Sequence, residues 1–228
     1  VNKVLILLVT ISLSILFPNI TMLIYAFLML SLLIQLNYKK IILVSIVSFL
    51  MYNIVSNSDY FKNRINISKD SKNLSALVYF QGLDYAKKSL INTNGLGLGF
   101  QMMGTQKPSE TTILIKRILN DLEGEGLNRY DGGFLAAKII TEFGIFGILI
   151  LIGYFYLFIR SFFYLRSYIY IKNCKYNPKL VVVSSIFFSF FVEVYVRGIG
   201  YFSPGVFIFL VAFSFYFKFK KEFSTSAE

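Results

Sequence analysis

The sequence predicts an all-α integral membrane protein: a multi-pass helical bundle of about six transmembrane helices with a large outward loop bearing short amphipathic helices. Three observations lead there. The 228 residues are 56% hydrophobic, with a mean hydropathy of +0.63, well above an ordinary soluble domain. The apolar residues gather in runs at 4–17, 20–36, 41–55, 134–159, 180–196 and 202–217. The excess of positive charge, +11, is collected between those runs rather than spread over one face.

The elements follow in chain order. Residues 1–55 hold the first three helices. The run at 4–17 falls short of the roughly 20 residues that a bilayer core takes. Pro18 and Asn19 favour a turn after it. A tight hairpin of two short helices fits residues 4–36, and so does one long helix kinked at Pro18. No signal-peptide cleavage site follows the first run, so the chain reads as though it starts within a bundle. Residues 56–133 form the outward loop. Two stretches in it have helical periodicity, 75–90 and 111–122. In the first, Gln81, Asp84 and Lys88 oppose Leu77, Leu83 and Leu90. In the second, Ile115, Ile118 and Leu122 share a side, and Lys116/Asn120 and Arg117/Asp121 are i,i+4 pairs. Between them lies a glycine-rich turn closed by Pro108. Residues 134–228 supply the last three helices, a basic link and a basic tail.

Orientation comes from the cations. Lys3, Lys39 and Lys40, the link residues Arg160, Arg166, Lys172, Lys175 and Lys179, and the tail lysines 218, 220 and 221 all fall on one side of a six-pass chain. By the positive-inside rule that side is cytoplasmic, both termini included, and the 56–131 loop is outside. Cations that cap membrane segments are not a nucleic-acid stripe, so no nucleic acid is expected as partner. There is no histidine and one cysteine, Cys174, which excludes an intrachain disulfide and leaves no set of metal or haem ligands. No metal or cofactor is expected.

Several groups are candidates for chemistry. Gly95, Gly97 and Gly99 lack the spacing of a dinucleotide loop. A plain turn is the simpler reading, and a nest of N–H groups for an anion such as a lipid diphosphate is the functional one. Asp121, Glu123 and Glu125 resemble a calcium loop but lack its terminal acid, because position 132 is glycine; a solvated bend fits better. Glu142 with Lys138, and Glu193 with Arg197, each set a carboxylate one helical turn below a cation in an apolar run. Buried charges of this kind line water-accessible cavities or join helices. Arg64, Arg117, Arg129 and Arg197 lie on the outer side, where the guanidinium fork suits phosphate oxygens.

Residues 74–84, 95–104, 128–144 and 197–204 resemble the bacterial O-antigen polymerase family, the oligosaccharide repeat-unit polymerases. The chain has fewer crossings than such proteins typically carry and looks like their C-terminal half. The resemblance implies a membrane glycosyltransferase of the plasma (inner) membrane. It would polymerise undecaprenyl-diphosphate-linked repeat units into surface polysaccharide on the periplasmic side. Its partners would be lipid-linked glycans, membrane lipid, a chain-length regulator and a missing N-terminal half. In that scheme Asp131 is the base, Arg129, Arg197 and Arg117 clamp the diphosphate, and Arg64 joins the rim. Glu142 and Glu193 orient the cations, Gln101 meets sugar hydroxyls, and Gly97 and Gly99 approach the substrate. The related ligases are thought to use a histidine in the stretch matching residues 128–131, and this chain has none. A lipid-linked glycan transporter or flippase subunit is the alternative, which a discontinuous helix and internal symmetry would favour; the sequence shows neither. A non-catalytic truncated remnant is a third reading. One expectation is directly measurable: a membrane-impermeant maleimide labels Cys174 in inside-out vesicles and not in intact spheroplasts, and the opposite pattern reverses the orientation.

Overall fold

The computed structural model describes residues 20–33, 73–119, 127–171 and 176–225, with isolated residues 9, 12, 13 and 53. The described chain is all-helical, without strands. It packs as two compact units, Val1–Gln81 with Pro108–Leu127, and Gly82–Lys107 with Asn128–Glu228.

In the first unit, α1 spans Ile20–Leu33, and the first turns of α2 (Leu74–Asn92) belong with α3 (Glu110–Leu119). Asn73 starts α2, its Oδ1 accepting from the Ser75 N–H at 3.1 Å. A reciprocal cap starts α3: the Thr112 N–H donates to Ser109 Oγ and the Ser109 N–H to Thr112 Oγ1. Glu110 in the first turn of α3 and Lys116 and Arg117 in its last complement the helix dipole. Leu77, Val78 and Ile115 form the buried seam. Both loop helices expected from periodicity are therefore present, as Leu74–Asn92 and Glu110–Leu119; residues 120–126, with the acidic bend and the ends of the two i,i+4 pairs, lie outside the described residues.

The second unit contains α4 (Leu135–Tyr170), α5 (Pro178–Ser189), α6 (Phe191–Tyr195) and α7 (Pro204–Thr225). Asn177 caps α5 through Lys179 N at 2.9 Å, with Pro178 in the first turn where its missing N–H costs nothing. Leu180, Val183 and Phe187 pack on Ala212 and Tyr216, which joins α5 to α7. Phe158 of α4 stacks on Phe188 with ring centroids 5.1 Å apart, which joins α4 to α5. On their other faces α4 and α7 leave large apolar side chains exposed, from Ile145 to Phe163 and from Phe207 to Phe217. On α4 that band is about 27 Å long, close to the thickness of a hydrocarbon core.

Two helical stretches, Leu135–Tyr170 and Pro178–Tyr195, are long and apolar enough to cross a membrane; α1 and the Pro204–Phe219 part of α7 are shorter. The described residues thus carry two helices of spanning length, where the sequence led us to expect six. The runs at 4–17 and 41–55 lie almost wholly outside the described residues, as do the choice between a hairpin and a kinked helix at Pro18, and Arg64 and Cys174.

Helix α4 is interrupted. Gly144 has φ 56° and ψ −128°, a conformation closed to other residues, and a Cβ there would overlap the Gly95 carbonyl. We expect Gly144→Ala to lower stability by at least about 1–3 kcal/mol. Gly153→Ala, at a helical position with nothing within 4 Å of the added methyl, gains about 0.5–1 kcal/mol. Thermal unfolding in detergent micelles separates the two, and equal shifts would deny that the break is required.

Candidate functional site

The break in α4 and the glycine-rich turn complete one another. An interrupted helix leaves carbonyls without partners, and a buried carbonyl needs one. Thr141 O accepts from the Leu98 N–H at 3.0 Å and from Ser89 Oγ at 2.6 Å, and Glu142 O accepts from the Gly99 N–H at 2.9 Å. The Ile145 N–H in turn donates to Gly95 O at 2.8 Å. Gly97 must be glycine because a Cβ would run into the Glu142 carbonyl. Its N–H donates to Thr93 Oγ1 at 2.8 Å. The amides of Gly97 and Gly99 are thus spent inside the protein, and the turn serves as a strap across the helix break.

The strap brings Gln101 beside Lys138. The Lys138 ammonium is 2% exposed and donates to Tyr130 O at 2.7 Å, Asp131 Oδ1 at 2.9 Å and Gln101 Oε1 at 3.1 Å. Glu142 Oε1 lies 3.9 Å from it. A charge so far from water is tolerated only when paired and hydrogen-bonded. Glu142 is itself fully buried, and its carboxylate accepts from the amides of Gln101 at 2.9 Å and Met103 at 3.3 Å. The ring of Tyr201 covers the ammonium, 5.1 Å from Nζ to centroid, and Phe100 stacks on that ring at 5.4 Å. Burial, followed by the nearby negative charge of Glu142, holds the Tyr201 phenol far above its ordinary range, and its buried hydroxyl has no hydrogen-bond partner of normal geometry.

Asp131 sits in a turn closed by the Asp131 and Gly132 N–H groups on Asn128 O. It does not cap α4: the N-cap position is Phe134, with no side-chain cap. Its carboxylate goes to Lys138 instead and is 38% exposed. Asp131, Gln101, Glu142, Gly97 and Gly99 therefore come together, around a lysine that the sequence marked only as the neighbour of Glu142.

Other expected members are placed differently. Arg129 donates from Nη2 to Gln106 O at 2.7 Å, while its Nε is buried without a partner. Glu193 and Arg197 do not form the expected helical pair. Helix α6 ends at Tyr195, and the N–H groups of both Val196 and Arg197 fold back on Val192 O, so the i,i+4 relation is lost. Glu193 instead accepts from Ser203 Oγ, and Ser203 caps α7 through the Val206 N–H. Arg197 is exposed and makes no ion pair among the described residues. Arg117 is exposed on α3, in the first unit.

Next to the cluster an apolar cavity of about 580 Å³ runs between α4 and α7, with Leu135, Ile139, Tyr154, Tyr201, Phe209 and Phe213 in its lining. Tyr201 belongs to both. Among the described residues no three His, Cys, Asp or Glu side chains gather as a metal set. No family model, no curated protein and no solved structure matches this chain.

Removing the ammonium leaves two carboxylates in its pocket. Lys138→Met should cost about 3–5 kcal/mol, and less in a Glu142→Gln background. Tyr201→Phe, which deletes a buried hydroxyl whose approach to Glu142 falls short of normal hydrogen-bond geometry, should change stability by less than about 1 kcal/mol. Thermal unfolding of Lys138→Met, Glu142→Gln, their double variant and Tyr201→Phe in detergent reads both effects, and a Lys138→Met protein as stable as the parent would refute the pairing.

Proposed function

We propose that this chain takes part in glycosyl transfer from a polyprenyl-diphosphate-linked donor, in the manner of the O-antigen polymerases that its sequence resembles. The multi-pass membrane setting, with the cluster facing the periplasm, is part of the proposal. The observation that carries it is the arrangement at Asp131: a half-exposed carboxylate with one oxygen fixed by a buried ammonium and the other free, beside an apolar cavity between long apolar helices.

The chemistry needs few parts. A hydroxyl oxygen of the acceptor sugar attacks the anomeric carbon of the donor. The bond from that carbon to the diphosphate oxygen breaks, and the leaving diphosphate keeps the electron pair. The hydroxyl proton passes to Asp131 Oδ2, the role of a general base. The leaving group gains charge, which a nearby cation stabilises. Arg197, exposed and without an ion pair among the described residues, supports that role better than Arg129, whose Nη2 already serves Gln106. The Lys138 ammonium is committed to its own carboxylates.

One observation favours the transporter reading. The break at Gly144 makes α4 a discontinuous helix, a feature of substrate sites in secondary transporters. The two readings part in detergent solution, where there is no barrier to cross. Purified protein given lipid-linked donor and acceptor should form polymer, with any helical partner subunit the chain requires added. Asp131→Asn should lower that rate about 10²–10⁴-fold while inserting normally. No product in detergent, together with flipping of lipid-linked glycan in vesicles, would replace the transferase by a transporter.

A further inference from the structure

We propose that Phe100, Gln101 and Asp131 form a subsite for a neutral sugar ring, the acceptor of the transfer described above, on which reading this inference rests. Gln101 is the starting point. Its φ is +61°, in the left-handed region that long side chains seldom enter and that recurs where a site holds its backbone under constraint. Two bonds keep it there. Its N–H donates to Glu142 Oε2, and its Oε1 accepts from Lys138 Nζ. With Oε1 taken, the side-chain amide is locked in one orientation, and the Nε2 amino group of this exposed residue has no partner among the described residues.

Asp131 is held by the same ammonium. Lys138 binds Asp131 Oδ1 and Gln101 Oε1 at 2.9 and 3.1 Å, so the carboxylate and the side-chain amide are held on the same ion, one able to accept and the other to donate. Adjacent hydroxyls on a pyranose match this pair: one gives its proton to the carboxylate, and its neighbour's oxygen accepts from the amide. Phe100 adds the third element. It is 57% exposed although it stacks on Tyr201 at an interplanar angle of 15°. The C–H face of a sugar ring, weakly positive, suits the negative face of an aromatic ring. The charge balance selects against an anion here, because the one cation in the cluster is already faced by Asp131 and Glu142.

The test is saturation-transfer NMR on the full chain in detergent micelles, with a panel of methyl hexosides, N-acetylhexosaminides and 6-deoxyhexosides. Irradiation of protein aromatic protons should reach the protons on one face of at least one ring. Phe100→Leu should weaken that binding about fivefold. Gln101→Gly, which relieves the left-handed backbone but removes one oxygen partner of Lys138, should weaken it about tenfold in a protein that still unfolds cooperatively. No transfer to any member of the panel, or transfer that survives both substitutions, overturns the subsite. In the second case the exposed Phe100 ring is a contact for lipid headgroups. Binding that behaves as expected, in a protein that forms no polymer in detergent, keeps the subsite and removes the transferase reading.

Discussion

One buried ammonium ion fixes the polar end of the second unit. Taking the Lys138 Nζ out of water costs several kcal/mol, which only a full set of oxygen partners offsets. Those partners come from three places along the chain: Gln101 in the strap, Tyr130 and Asp131 in the turn before α4, and Glu142 one helical turn along from the lysine itself. The strap can reach the lysine only because Gly97 lets it lie against the Glu142 carbonyl. The helix can receive the strap only because Gly144 opens it. Each local irregularity serves the same atom.

The charged groups divide by task. At the end where α4 begins, Lys138, Glu142 and Asp131 are tied to each other, and Glu193 is tied through Ser203 to the start of α7, where a carboxylate also meets the positive end of the helix dipole. At the far end the Lys179 ammonium lies over the Phe219 ring and the Arg166 guanidinium over Phe162 and Tyr170, cations set against aromatic faces. Between the two ends α4 and α7 expose apolar side chains. Arg197 is the exception at the polar end, since it is exposed and forms no ion pair among the described residues.

What could be read from the sequence was whatever repeats along it. The periodicity at 75–90 and 111–122 marks α2 and α3 within a few residues, and the apolar run at 134–159 marks α4. A glycine inside an apolar run carries no such signal. Gly144 and Gly153 look alike in sequence, yet one breaks the helix and the other lies within it. The supposed pairing of Glu193 with Arg197 rested on helical spacing carried past Tyr195, where the helix has ended. Asp131, Gln101 and Glu142 were each legible as polar groups in suggestive places. Their common partner was not, because a side chain that gathers groups 7 and 37 positions away leaves no periodic trace. Phe100 and Tyr201 were hidden for the same reason.

The strap over Gly144 also bears on how such a protein is made. Residues 135–143 hold Lys138 and Glu142, and a segment with two ions in nine residues is poorly accepted by lipid on its own. The hydrogen bonds that complete it come from residues 95–99, synthesised some forty positions earlier and left at the surface. In the membrane setting proposed above, Ile145 and the residues beyond it would enter lipid as an ordinary apolar helix, whereas residues 135–143 would close only with the strap in place. On that reading one helix depends on hydropathy beyond Gly144 and on the pairing of one lysine before it.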